Sequence, residues 1–308
     1  MFFRYIQTVI RSAIVPVAGH GTRLLPATKS QPKEMLPIAR KPIVQYVAEE
    51  LIGNGIDQIL FITGRNKTSI ENHFDTDPDL QRQLIAQKKP DLLREIDLES
   101  YRAHFFYTRQ RVQRGLGDAV LCGETFAGTN PFLVALGDSI IGLHGESRAV
   151  ERMIALFELH NAAAVIAVEE VAPDETQHYG IVNVMAGGGD SLRVTNLVEK
   201  PKPEAAPSNL AIAGRYAFSP KIFDMVRQVG PDMHGEIQLT DAIRMLCESG
   251  ETVLALKLPP NEKRYDIGNF SSYFETFVEF ALADPLYGEE FRGKLERMLE
   301  KDASAAKV

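Results

Sequence analysis

Along the chain, short apolar runs rich in β-branched residues end in glycine or a polar loop. They alternate with longer segments whose apolar residues recur at helical spacing. This alternation marks βαβ units and a mainly parallel sheet, because parallel strands need a crossover that packs back onto the sheet. Ile59-Leu60-Phe61-Ile62 is apolar at every position and too short for a helix, so it reads as a strand buried on both faces. The pattern predicts strands at 12–17, 58–63, 104–108, 131–136, 163–168, 180–184, 194–198, 211–217 and 252–258. It predicts helices at 44–54, 118–125, 147–161, 220–226, 238–247 and 270–282.

Residues 75–100 are charged and mostly of helical period, an insertion between two strands that belongs at a sheet edge and serves packing or assembly. Gly187-Gly188-Gly189 marks a hairpin tip and 201–207 a proline-bounded loop, neither long enough to separate domains. One α/β domain over residues 1–308 is expected, with a helical segment at 270–308 whose small, polar end from Asp302 is frayed. Composition changes little: 44% hydrophobic and 24% charged residues suit a globular enzyme. Charge changes more, since a net −7 argues against general affinity for nucleic acid or anionic membrane. Any phosphate site must then be a local basic pocket. Cys122 and Cys247 have no metal-ligand spacing and suggest no disulfide framework, which fits a reducing cytoplasm. Arg4 and Arg11 interrupt the apolar start, so neither a signal peptide nor a membrane span is expected.

The chemistry concentrates directly after the first strand, in Ala18-Gly19-His20-Gly21-Thr22-Arg23-Leu24-Leu25-Pro26. Glycines there let backbone N–H groups approach a triphosphate, and Arg23 offers a guanidinium fork to phosphate oxygens. The segment is neither a dinucleotide fingerprint, which wants glycine at Leu24, nor a P-loop, which wants Gly-Lys-Ser/Thr where this chain has Gly-Thr-Arg. Lys29 and then Pro32-Lys33-Glu34-Met35-Leu36-Pro37 add two cations and a carboxylate.

With these residues the chain resembles the sugar-phosphate nucleotidyltransferases of the bacterial UTP:glucose-1-phosphate uridylyltransferase type, whose hallmark is G-x-G-T-R-x-L-P-x-T-K followed by P-K-E-M-L-P. Further segments resemble that family in order: Ser69-Ile70-Glu71-Asn72-His73-Phe74-Asp75, Gln110, Gly115-Leu116-Gly117, Val198-Glu199-Lys200-Pro201 and Gly235-Glu236-Ile237-Gln238-Leu239-Thr240-Asp241-Ala242. The resemblance spans 14–282 and implies a Rossmann-like three-layer fold around a mixed, mainly parallel sheet. It also implies that Arg23 and Lys33 hold the β- and γ-phosphates of UTP. Ala18, Gly19, Gln110 and Gly115 would surround the uracil, with Gly21 and Thr22 in the same nucleotide site and Glu34 lining it. An amide at Gln110 suits a base edge because it offers both a donor and an acceptor. Glu199 would meet glucose hydroxyls, Lys200 the sugar phosphate, and Gly180 would make room for the hexose.

Asp138 ends the apolar run 132–136, which places it at the carboxyl end of a parallel strand, where α/β sheets bind ligands. Mg²⁺ is its natural partner, since that ion takes one or two carboxylates plus phosphate oxygens. In the wider family a second aspartate helps, and Asp266 occupies the matching place, although a turn or helix-cap role before Gly268 also fits it. Gly137 departs from the family, where proline is commoner. The seven histidines show no metal spacing and no nucleophile motif, which disfavours a uridylyl-histidine intermediate. His20 suits either phosphate contact or packing, and His178 either the sugar or solvent. The stripe Tyr273, Phe274, Phe277 and Phe280 follows helical period and reads as core or subunit contact.

The reaction implied is in-line attack by glucose 1-phosphate on the α-phosphorus of UTP, giving UDP-glucose and pyrophosphate, in a homo-oligomer (dimer or tetramer). Two rivals stand beside it: a thymidylyltransferase or other sugar-1-phosphate nucleotidyltransferase, and a non-catalytic regulatory homologue that only binds nucleotide sugars. The segment 32–37 and the insertion 75–100 favour uridylyl transfer over the first. Retention of Arg23, Lys33, Asp138 and Lys200 weighs against the second.

Overall fold

The computed structural model describes residues 10–97, 102–185 and 191–305. Its strands are β1 Ser12–Pro16, β2 Pro37–Ile38, β3 Lys41–Pro42, β4 Gln58–Thr63, β5 His104–Arg109, β6 Phe132–Ala135, β7 Ser139–Ile141, β8 Ala164–Glu170, β9 Gly180–Met185, β10 Ser191–Glu199, β11 Leu210–Phe218, β12 Val253–Lys257 and β13 Arg264–Asp266. The helices are α1 Ile43–Gly53, α2 Thr68–His73, α3 Pro78–Ala86, α4 Pro90–Glu95, α5 Leu116–Leu121, α6 Glu124–Ala127, α7 Ala149–Leu159, α8 Lys221–Gln228, α9 Leu239–Glu248, α10 Phe270–Leu282 and α11 Gly288–Ala305.

One sheet carries nine of the described strands in the order β5-β4-β1-β6-β11-β8-β12-β10-β9. The neighbours β5, β4, β1 and β6 are parallel, as are β8 and β12. Only β11 and β10 run against the rest, so the sheet is mixed while seven of its nine strands point one way.

Alternate residues of each inner strand enter different cores. Ala13 and Val15, Ile59 and Phe61, Leu133 and Ala135, Val165 and Ala167 pack with α1 and α7. Their neighbours Ile14, Leu60, Ile62, Phe132, Val134, Ala164 and Ile166 pack with α5, α8 and α9. Because successive side chains point to opposite faces, a strand covered on both sides must be apolar throughout, and the result is three layers. A third cluster of Leu24, Leu36, Ile38, Ile43, Tyr46, Ile140, Tyr265, Ile267 and Phe280 sits beside the end of the sheet. Fully burying a side chain such as Phe280 contributes about 3 kcal/mol. It ties α10 to the segment after β1 and to the β7–β13 ribbon.

Some expectations change. The helix expected over 118–125 is two short helices, α5 and α6, parted at Gly123, where a Cβ would stand 2.3 Å from Ile14 Cδ1. The ribbons β2–β3 and β7–β13 were not expected, being too short to show a period. The helical segment expected at 270–308 comprises α10 and α11, the latter running to Ala305. The insertion 75–100 holds α3 and α4 and lies before the edge strand β5, with residues 98–100 outside the described residues. The glycines at 187–189 also lie outside them, and the flanking strands β9 and β10 pair antiparallel. Of the aromatic stripe, Phe280 is core, Tyr273 and Phe277 pack against the third cluster, and Phe274 is exposed. Among the described residues no helix is long and apolar enough to cross a membrane.

Candidate active site

The loops after β1, β4 and β5 converge because those strands are parallel and end on the same side. Gln113, after β5, donates through Nε2 to the Ala18 carbonyl at 2.9 Å. In the segment after β1, Gly19 and His20 are exposed, Gly21 accepts a hydrogen bond from Thr28 Oγ1 at 2.8 Å, and Thr22–Leu24 forms a 3-10 turn. Leu24 is buried beneath that turn while Thr22 and Arg23 remain exposed, so the apolar residue anchors a loop that presents its cation outward.

Beside it opens a cleft of about 850 Å³ lined by Arg23, Asp138, Gly180, Glu199, Lys200 and Asp266, among others. Six residues expected to work together, taken from five separate parts of the chain, thus share one cavity. Lys33 joins them through a hydrogen-bonded ion pair with Asp138. Asp138 and Asp266 meet because β7 and β13 pair antiparallel with Ser139 opposite Asp266, and Ile267 N–H donates to the Asp138 carbonyl at 3.2 Å. Arg23 approaches the same point, since a Cβ on Gly268 would stand 3.3 Å from Asp266 Oδ2 and 3.5 Å from Arg23 Nη1.

The two carboxyl groups differ electrostatically. Burial alone would raise Asp138, but the Lys33 ammonium outweighs it and holds the carboxyl below its usual range. Asp266 is pushed above that range, first by burial and then by the Asp138 charge. Two adjacent carboxylates with one driven toward protonation form a site that a divalent cation would relieve. Among the described residues no group of three or more Asp, Glu, His or Cys side chains could hold a metal. A pair of hard oxygen donors beside the Arg23 guanidinium is nevertheless the set that Mg²⁺ takes when phosphate and water complete its shell, so the residues fit this ion.

At the other side of the cleft, Gly180 stands opposite Glu199 in the β9–β10 ladder. A Cβ at Gly180 would come within 3.1 Å of both Glu199 Oε2 and Thr240 Oγ1, so a side chain there would displace the carboxylate. Thr240 donates to Glu199 Oε2 at 2.6 Å, and Lys200 Nζ lies 3.6 Å from Glu199 Oε1. Lys200 has φ +45°, an unusual conformation for a residue with a side chain. Its N–H donates to the Tyr179 carbonyl at 3.0 Å, which holds the chain in that bend.

Ala18, Gly19, Gly21, Thr22, Glu34, Gln110 and Gly115 do not line this cavity. Glu34 is buried, and its carboxylate accepts from Lys67 Nζ at 2.8 Å. Gln110 is buried after β5 and donates to the Gly115 carbonyl at 3.1 Å. Gly115 has φ +92° and ψ 179°, a conformation open to glycine alone. It packs onto the backbone of Ile237, whose N–H donates to the Arg114 carbonyl at 2.7 Å and whose carbonyl accepts from Gly117 N–H at 2.9 Å. Two segments recognised separately in the sequence are thereby stitched together. His20 and His178 are exposed, and His178 lies on the cleft wall.

Sequence reasoning missed several residues here. Tyr179 and Arg264 line the cleft, with the guanidinium 4.1 Å over the Tyr179 ring and bonded to Glu169 at 2.6 Å. Arg215 is 1% exposed and pairs with buried Glu50 at 2.5 Å. It also donates to the carbonyls of Leu136 at 3.5 Å and Ser139 at 2.9 Å, which bracket Asp138. An arginine in an otherwise apolar strand was the available signal.

The family model for nucleotidyl transferases matches residues 12–281. A UTP–glucose-1-phosphate uridylyltransferase of Bacillus subtilis is 42% identical over 293 residues, covering 95% of this chain and 97% of that protein. Among solved structures, the UTP-bound UGPase from Acinetobacter baumannii superposes with a TM-score of 0.84 at 36% identity, over 93% of this chain and 98% of that one. A UDP-glucose pyrophosphorylase complexed with UDP-glucose gives a TM-score of 0.78 at 37% identity, over 88% of this chain and 98% of that one.

Proposed function

The chain belongs to the nucleotidyl transferase family, and from that premise we propose that it transfers the uridylyl group of UTP to glucose 1-phosphate, releasing pyrophosphate and UDP-glucose. The observation that carries this reading is the single cleft that joins Arg23 and the Asp138–Asp266 pair to Gly180, Glu199 and Lys200. It has cations and carboxylates for a triphosphate at one side and a carboxylate–ammonium pair for a phosphorylated sugar at the other.

In the reaction, a phosphate oxygen of glucose 1-phosphate forms a bond to the α-phosphorus of UTP. The bond from that phosphorus to the bridging β-oxygen breaks, and pyrophosphate takes the electron pair. The attacking oxygen is already anionic at neutral pH, so no general base is needed. Arg23 and Lys33 hold the β- and γ-phosphates and stabilise charge as it grows on the leaving group. Lys200 holds the sugar phosphate in line, and Glu199, fixed by Thr240, accepts from glucose hydroxyls. Ala18, Gly19, Gly21, Thr22, Gln110 and Gly115 form the nucleotide side, with Glu34 supporting it from below through Lys67. Asp138 and Asp266 would hold Mg²⁺, which supplies charge neutralisation at the α-phosphate when bound. Self-association is part of the proposal, supported by exposed Phe274, Leu286, Tyr287, Met298 and Leu299 on and between α10 and α11.

The test is pyrophosphate release over four nucleoside triphosphates and several sugar 1-phosphates. UTP with glucose 1-phosphate should turn over fastest. Faster turnover with dTTP would sink the base assignment, and no turnover with any pair would leave a nucleotide-sugar-binding regulator.

A further inference from the structure

Gln110 is 5% exposed, and its amide nitrogen Nε2 donates to Asp118 Oδ2 at 2.7 Å and to the Gly115 carbonyl at 3.1 Å. Both partners are acceptors, a carboxylate oxygen and a carbonyl, and Asp118 Oδ1 is itself gripped by Arg114 Nη2 at 2.6 Å and Nε at 3.1 Å. An amide has one donor end and one acceptor end, so this arrangement fixes which way it faces. The NH₂ must turn toward Asp118 and Gly115. The carbonyl oxygen Oε1 must turn away, and among the described residues nothing donates to it. Flipping the amide would set Oε1 against the Asp118 carboxylate and the Gly115 carbonyl, two acceptor-to-acceptor contacts in a buried site, which is strongly unfavourable.

We propose that Asp118 is a positioning residue for base selection, locking the Gln110 amide so that only an acceptor is offered to the nucleotide base. This rests on the reading that Gln110 meets the base. Uracil and thymine carry an N–H at ring position 3 and satisfy that acceptor. Cytosine carries a lone pair there and would face it acceptor to acceptor. The lock therefore discriminates against a cytidine nucleotide and does not distinguish UTP from dTTP. Without Asp118 the amide is free to turn and donate to cytosine.

The experiment compares kcat/KM for UTP, CTP and dTTP in the intact protein and in Asp118→Ala, Asp118→Asn and Gln110→Ala. Asp118→Ala should lower the UTP:CTP ratio by about tenfold or more, because a hydrogen-bonding site discriminates most when its orientation is fixed. The UTP:dTTP ratio and the KM for glucose 1-phosphate should stay unchanged. General loosening would instead depress all three nucleotides together and overturn the proposal. Asp118→Asn keeps the shape and should lower the UTP:CTP ratio to a smaller degree, which preserves the test if the alanine variant folds poorly. If Gln110→Ala lowers the UTP:CTP ratio while neither Asp118 variant does, Gln110 meets the base and the lock is refuted. If Gln110→Ala leaves that ratio intact, the base-pocket reading itself has failed.

Discussion

Lys33 and Asp138 form a hydrogen-bonded ion pair that joins the segment after β1 to the turn after β6. Lys33, assigned to pyrophosphate, thus sits against the carboxylate assigned to the metal. The pair has a defined pH window. Asp138 is held below its usual value, so its contribution to stability is present above the unfolded carboxylate value and is lost as pH falls through the folded one. Lys33 is raised: burial opposes its charge, but Asp138 and Glu34 outweigh burial. Its contribution is present below the unfolded lysine value and is lost as pH rises through the folded one. A double-mutant cycle on Lys33→Met and Asp138→Asn, read by denaturant melts of the metal-free protein, should give a coupling that is flat from about pH 5 to 9. A coupling that fades within that range would contradict the pairing.

Much of this was legible in the sequence, and the limit is physical. The inner strands of the sheet could be read because strands covered on both faces are apolar at nearly every position, as Ile59 to Ile62 shows, whereas the edge strand β5 is largely exposed. Arg23, Asp138, Glu199 and Lys200, which the structure brings to one cleft, stood out in the sequence because each sits at a strand end or in a loop of unusual composition. Asp118, Thr240 and Arg264 did not, since each is joined to the site by a partner reached only through the fold. The same holds for Glu34, placed beside the base by resemblance, whose carboxylate is taken up by Lys67.

The buried pair of Glu50 and Arg215 is a second such case. Glu50→Ala leaves Arg215 charged and unpaired at 1% exposure and should destabilise the protein by roughly 3–5 kcal/mol. Chemical denaturation checks this. A loss below about 1 kcal/mol would mean that the carbonyls of Leu136, Gly214 and Ser139 suffice for the guanidinium.

Arg23 should matter more in the transition state than in the ground state, because charge on pyrophosphate develops as the bond breaks. Arg23→Ala should lower kcat/KM about a hundredfold or more, roughly 3 kcal/mol. UDP-glucose binding, measured by calorimetry, should weaken far less, with an unchanged melting temperature. Near-normal turnover would refute the role.

Asp138→Asn keeps the size and removes the charge. The variant should fold, less stably for loss of the Lys33 pair, lose most activity and need markedly more Mg²⁺ for the remainder, since a neutral amide is a poorer ligand for a hard cation. Asp266→Asn should show the same pattern more weakly. An unchanged Mg²⁺ requirement would make Asp138 a structural residue.

The most direct test of the central claim is the stereochemical course at the α-phosphorus, followed with UTP bearing one sulfur of known configuration there, together with glucose 1-phosphate and Mg²⁺. The account predicts a thio-substituted UDP-glucose of inverted configuration, one pyrophosphate for each product molecule, and no labelled protein when the sugar phosphate is withheld. Retention of configuration, or a uridylyl group trapped on the protein, would contradict direct displacement.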